Sequence, residues 1–233
     1  MSLLVGTSGY SHSEWRGYFY PEKFPQKGML GYYAQFFNTV ELNFTFRQLP
    51  IPKVVEGWAS KVTDEFRFVL KGKQSITHFK RLLDAESDID EFIAAVAGLK
   101  DKLGPILFQL PPTFKKNVGR LDAFLKHIGG RAKAAFEFRD SSWFDDEVYA
   151  CLRSHSVALA VSDRDDMPQT GLIHTANWGY LRMWSASYTD DQLRQLITSI
   201  RAQKWVETYV IFTHMEQGIS ASLASRFKVL VGS

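Results

Sequence analysis

Two residues of opposite charge, Glu137 and Arg139, end an apolar run that begins at Ala134 and continues into Asp140, Ser141, Ser142 and Trp143. Read as a β-strand, the run alternates faces, so Phe136 and Phe138 point one way and Glu137 and Arg139 the other. A half-exposed edge strand would alternate in the same manner. The design recurs, however. Val40 and Leu42 oppose Glu41 and Asn43; Phe66, Phe68 and Leu70 oppose Arg67, Val69 and Lys71; Phe108 and Leu110 oppose Gln109; Leu181 and Met183 oppose Arg182. Each stretch turns polar on one face near its C-terminal end. That shared pattern assigns Glu41, Lys71, Gln109, Glu137, Arg139 and Arg182 to one surface, joined by Asp163 after the run Ala158 to Val161.

Carboxylates set among cations support several chemistries. Lys71, Arg139 and Arg182 suit a phosphate-like anion: the guanidinium fork matches two oxygens, and the ammonium adds a compact charge. Glu41 or Glu137 would then serve as general base. Thr7, Asn43 and His78 add hydrogen-bonding groups at strand ends, and Tyr10, Trp15, Trp143 and Trp184 are rings on which a base or sugar would stack. In a second arrangement Glu41 and Glu137 form a glycosidase pair, although three strands of separation count against the about 5 Å that a retaining pair needs. In a third, Glu41, Glu137, Asp163 and His214 ligate a metal, against which stand the three cations that already neutralise the carboxylates. The same pocket would also serve a non-catalytic receptor for an anionic ligand. The bland alternative is an ion-pair network that closes one end of the fold. The favoured function is an enzyme acting on a nucleotide, nucleic acid or sugar phosphate, with no cofactor and no metal.

The elements that position these residues alternate in type. Leu3 to Val5 reads as a short buried strand stopped by Gly6-Thr7-Ser8-Gly9-Tyr10, where two glycines favour a turn. It is no dinucleotide fingerprint, because a third glycine and an immediate helix are missing. The aromatic loop from Trp15 to Pro21 reads as a plug over one end. Helical spacing follows at Met29 to Phe37, from Pro52, at Asp88 to Leu99, Val118 to Ile128, Asp145 to Ser154, Asp190 to Ala202 and Ile219 to Val231. Gln74 to His78 and Arg164 to Asp166 read as loops. Short buried strands alternating with helices imply a parallel sheet. About eight such units suit an α/β fold of the single TIM-like (β/α)8 barrel type, whose functional residues come from strand C-termini. An open doubly wound sheet is the alternative.

Composition bounds the rest. The chain has 233 residues, a length that α/β barrels often reach as one domain, and no linker divides it. A formal charge of +3 permits an acidic partner without demanding one, and Lys115, Lys116 and Arg120 form only a modest basic patch. Cys151 is the sole cysteine, which excludes an intrachain disulfide, and its place among apolar helix positions points to packing. The N-terminal stretch is not expected to be a signal peptide, and no apolar run reaches membrane-spanning length. A cytoplasmic protein is the default expectation. The oligomeric state is not readable.

Several of these motifs together resemble those of the YecE-like proteins, a domain-of-unknown-function family. They are Gly6-Thr7-Ser8-Gly9-Tyr10 with Trp15, Gly17-Tyr18-Phe19-Tyr20-Pro21, Thr39-Val40-Glu41-Leu42-Asn43-Phe44-Thr45-Phe46 with Leu49-Pro50, Thr77-His78, Phe108-Gln109-Leu110-Pro111-Pro112, and Glu137-Phe138-Arg139 with Ser142-Trp143. The resemblance spans nearly the whole chain and implies a TIM-barrel-like fold, but no established activity. The chain departs from it in three places. Arg47 stands where the family usually has tyrosine, Met183-Trp184-Ser185 follows Arg182 in place of leucine or phenylalanine, histidine and glycine, and Thr213-His214 replaces two asparagines after Phe212. The altered last two strands imply a relaxed or changed substrate preference.

Overall fold

The computed structural model describes residues 1–214 and 216–232. Eight parallel strands close into a barrel in sequence order: β1 (Ser2–Ser8), β2 (Thr39–Leu42), β3 (Arg67–Lys71), β4 (Leu103–Gln109), β5 (Ala134–Glu137), β6 (Ala158–Ser162), β7 (Trp178–Met183) and β8 (Glu207–Phe212), with β8 pairing back onto β1. Helices α1 (Met29–Tyr33), α2 (Pro52–Ala59), α3 (Glu86–Val96), α4 (Val118–Ile128), α5 (Asp146–Ser154), α6 (Asp190–Ala202) and α7 (Ile219–Gly232) pack outside. No α-helix follows β6, and residues 163–177 cross to β7 as a loop. No helix among the described residues is long and apolar enough to cross a membrane.

Strand parity divides the core into two layers. Leu4, Val69, Leu107, Ala135, Ala158, Ala160, Trp178, Tyr180, Tyr209 and Ile211 fill the barrel interior. The alanines of β5 and β6 leave room that the aromatic rings of β7 and β8 occupy, with Tyr180 and Tyr209 stacked at 6.1 Å between centroids. This large-against-small filling is what a narrow barrel requires. The opposite faces carry Phe68, Leu70, Phe108, Phe136, Phe138 and Phe212 into the layer beneath the helices.

Helix limits follow local chemistry. Pro52 occupies the first turn of α2, where its missing N–H is no loss. Asn117 caps α4 by accepting from the Arg120 N–H, and Gly129 ends that helix at φ 55°. Thr189 and Gln192 form a reciprocal capping box at the start of α6.

Three expectations need correction. β1 does not end at Val5 but continues through Ser8, because Gly6, Thr7 and Ser8 pair with neighbours and sheet pairing overrides the local turn preference. The turn falls later, at Gly9, where φ is +82°. Gln74 to His78 is not an open loop: Ser75–Phe79 forms a single π-helical turn that carries His78. The first helix is only five residues long, and tight turns carry the chain on to Phe37.

Candidate functional site

The register of the barrel brings its polar strand ends level. Ser8 pairs with Glu41, Gln109 with Glu137 and Ser162 with Arg182. Arg182 is the centre. Its Nε and Nη2 donate to the two oxygens of Glu41 at 3.0 and 2.9 Å, and its Nη1 donates to Glu137 Oε2 at 2.5 Å. Glu41 also accepts from the Tyr180 hydroxyl at 2.7 Å and from the Ser8 hydroxyl at 3.0 Å, while Asn43 donates to Ser8 at 2.7 Å. Glu137 accepts further from Gln109 at 2.5 Å and from Arg139 Nε at 3.2 Å. β2, β5 and β7 are thereby tied across the barrel mouth by one guanidinium.

Electrostatics follow from that geometry. Burial would raise the Glu137 carboxyl, but the charges of Arg182 and Arg139, with the hydrogen bonds from Arg182 and Gln109, hold it below its ordinary value. Burial would lower Arg182, and Glu137 and Glu41 instead drive it up. Tyr180 is raised by burial and then by the Glu41 charge, so it remains a donor. Lys71 behaves oppositely. Burial and then repulsion from Arg182 push it down to about 8, only partly offset by Glu41 and Glu137. Its Nζ lies 4.5 Å from the centroid of the Phe46 ring and has no ion pair among the described residues. His78, whose ring packs edge-on against Phe46, is lowered by burial and then by Lys71 and Arg139.

The charge inventory decides what the site can do. Glu41 and Glu137 are fully buried, and donors surround both. Neither is free to take a proton from a ligand, so the general-base and glycosidase roles assigned to them do not suit this geometry. The four-residue metal arrangement is not assembled either: Glu41 and Glu137 hold Arg182, Asp163 accepts from the Trp184 N–H and the Tyr188 hydroxyl, and His214 faces Glu216. What remains open is cationic. Lys71 and Arg139 keep part of their surface in solvent, and Arg139 uses only its Nε on Glu137.

Two expected ligand contacts are placed elsewhere. Thr7 lies on the outer face of β1, its hydroxyl bonded to Gly9 O at 2.6 Å and to the Tyr33 hydroxyl at 3.0 Å, because parity gives the inner face to Ser8. Trp143 is fully buried in the outer layer, stacked on Phe138 at 4.7 Å and donating from its indole to Phe114 O at 2.6 Å. It sits on a short turn past β5 that folds back under the helices. Tyr10 stands aside from the ion pairs, in an apolar cavity with Trp58. Trp184 does reach the mouth, its ring 5.1 Å from the Arg182 guanidinium and 4.6 Å from that of Arg164. Tyr180 was missed from sequence. It could have been found by counting two residues back along the inner face from Arg182.

The profile of the family described as "Protein of unknown function DUF72" matches residues 4–233. This chain belongs to the DUF72 family. Among family relatives it is 31% identical over 145 residues to the UPF0759 protein YecE of Escherichia coli K12, a match covering 61% of this chain and 50% of YecE. It is 30% identical over 156 residues to YunF of Bacillus subtilis, covering 63% of this chain and 54% of YunF. The chain spans about half the length of the curated relatives it matches. The crystal structure of the DUF72 protein TM1631 from Thermotoga maritima superposes over 100% of both chains with a TM-score of 0.85 and 27% identity. The Enterococcus faecalis protein EF0366, at 19% identity and a TM-score of 0.80, shares the fold.

Proposed function

We propose that this DUF72 protein is an enzyme acting on a small phosphate ester at the C-terminal mouth of its barrel. The observation that supports this is the one excess cation, Lys71, beside donor groups of Arg139 that are unused once the buried network has balanced itself. Arg182 and Arg139 neutralise Glu41 and Glu137, and the Lys71 ammonium and the outer Arg139 nitrogens remain to receive an anion. Arg139 would grip two phosphate oxygens and Lys71 a third. Lys71, with a pKa near 8, can also part with a proton. In hydrolysis, water would add to phosphorus, the ester P–O bond would break, the leaving oxygen would take the Lys71 proton, and the proton released by the attacking water would restore the Lys71 ammonium through bulk solvent. Glu41, Glu137 and Arg182 would be positioning residues that hold the mouth rigid.

A second use of the site is as a non-catalytic anion receptor, favoured by the absence of a solvent-facing carboxylate in this network. A panel of phosphate mono- and diesters separates the two. Product release by the wild type that is abolished in Lys71→Met supports the enzyme; saturable binding with no turnover of any ester supports the receptor.

A further inference from the structure

A cavity of about 460 Å³ opens beside the charged network, between the ends of β1 and β2 and helix α2. Its walls include Tyr10, Leu42, Phe44, Val54 and Trp58, and its inner edge is Ser8 and Asn43. The two sites therefore share a residue: Ser8, which borders the cavity, donates from its hydroxyl to Glu41 at 3.0 Å. They also share a turn. Phe44 and Phe46 are the ends of one three-residue 3-10 turn; Phe44 lines the cavity, Phe46 underlies the Lys71 ammonium at 4.5 Å, and Thr45 between them donates to Lys71 O at 2.7 Å. Leu42, the residue before Asn43, pairs with Leu70, the residue before Lys71.

Two features mark the cavity as a binding place rather than loose packing. Phe44 is 49% exposed and Val54 37%, so apolar surface is kept in solvent at its lip, where folding alone would cover it. Within it, the Trp58 ring is backed by the Phe68 ring, 6.1 Å away between centroids and stacked, which gives the cavity an aromatic wall. The volume lies in the range of small-molecule sites. Apolar and aromatic walls suit a flat ring and give a bare sugar little to bind.

We propose that this cavity takes the heteroaromatic ring of a phosphate ester whose anion rests on Lys71 and Arg139, which makes the ligand class nucleotide-like. The inference rests on the anion site proposed above. It is tested by calorimetric titration of the wild type with inorganic phosphate, ribose phosphate and adenosine monophosphate, repeated in Phe44→Ser and in Val54→Gln. Both variants alter exposed side chains and leave Lys71 and Arg139 in place. Adenosine monophosphate is expected to bind about tenfold or more tighter than ribose phosphate, and the variants to reduce that advantage while ribose phosphate affinity stays the same. Equal affinity of the two esters in the wild type, or an advantage that survives both variants, overturns the ring site and leaves the anion site standing. Failure of all three compounds to bind overturns both.

Discussion

Lys71 is a residue whose fold would be better off without its charge. Its pKa falls from 10.5 in the unfolded chain to about 8, so between those values the unfolded chain holds a proton that the native state has released. Stability on its account therefore rises with pH through that window, and below about 8 the buried ammonium is a standing penalty. Discounted for its partial exposure, the penalty is about 1–2 kcal/mol, of which loss of the Phe46 contact would return about 0.5–1. Lys71→Met should thus unfold at the same temperature as the wild type or a few degrees higher at neutral pH, by scanning calorimetry. A clear fall would mean that the lysine is structural. Arg139 offers a complementary case. Glu137 already has Arg182 and Gln109, so Arg139→Lys strands no carboxylate and should fold nearly normally. Its phosphate affinity should nonetheless drop about tenfold, because lysine lacks the two-pronged donor. Unchanged affinity with a large fall in melting temperature would return Arg139 to a structural role. At this scale the sequence was informative wherever parity could be counted, as for Glu41, Glu137 and Arg182. It misled at Thr7, where the strand ran three residues further than its glycines suggested, and at Trp143, which lies beyond the last paired residue and so outside any alternation.

Among elements, the tie between β2, β5 and β7 is the feature on which the barrel mouth depends. Arg182 alone neutralises Glu41 with two hydrogen bonds and reaches Glu137 with a third. Arg182→Gln would leave buried Glu41 without its cation and Glu137 with only the longer Arg139 contact, and should destabilise by roughly 3–5 kcal/mol, measured by urea unfolding. A loss under about 1 kcal/mol would show that the network contributes little. The depressed Glu137 carboxyl adds a pH signature: its contribution is present above the ordinary glutamate range and is lost as acid protonates the folded state. The Gln variant should therefore lose less stability on acidification than the wild type does. Strand and helix types were legible from periodicity, since Val118 to Ile128 and Asp190 to Ala202 read with their observed limits. The shortened α1 and the π-turn carrying His78 were not, because both are set by what packs on them rather than by their own spacing.

For the molecule as a whole, alternation of short apolar strands with helices was enough to imply the closed barrel, because eight such units leave few other ways to bury every strand on both faces. The missing helix after β6 was visible only as a polar, acidic stretch with no apolar period. Cys151 lies in the helical layer, 9% exposed, with its thiol raised by burial and then by Asp122. It should react slowly with a thiol reagent in the native state, and its modification should leave phosphate binding unchanged; fast reaction coupled to loss of binding would place it in the site.

The site itself rests on one claim, that Lys71 and Arg139 form an open anion position at the barrel mouth. Sulfate affinity as a function of pH tests it most directly, because the charge of sulfate does not change over the range in which Lys71 titrates. Saturable binding is expected in the wild type, steady below pH about 8 and weakening above it as the ammonium is lost, and absent from Lys71→Met. No binding at any pH, or binding that crosses that range unchanged and persists in the variant, would contradict it.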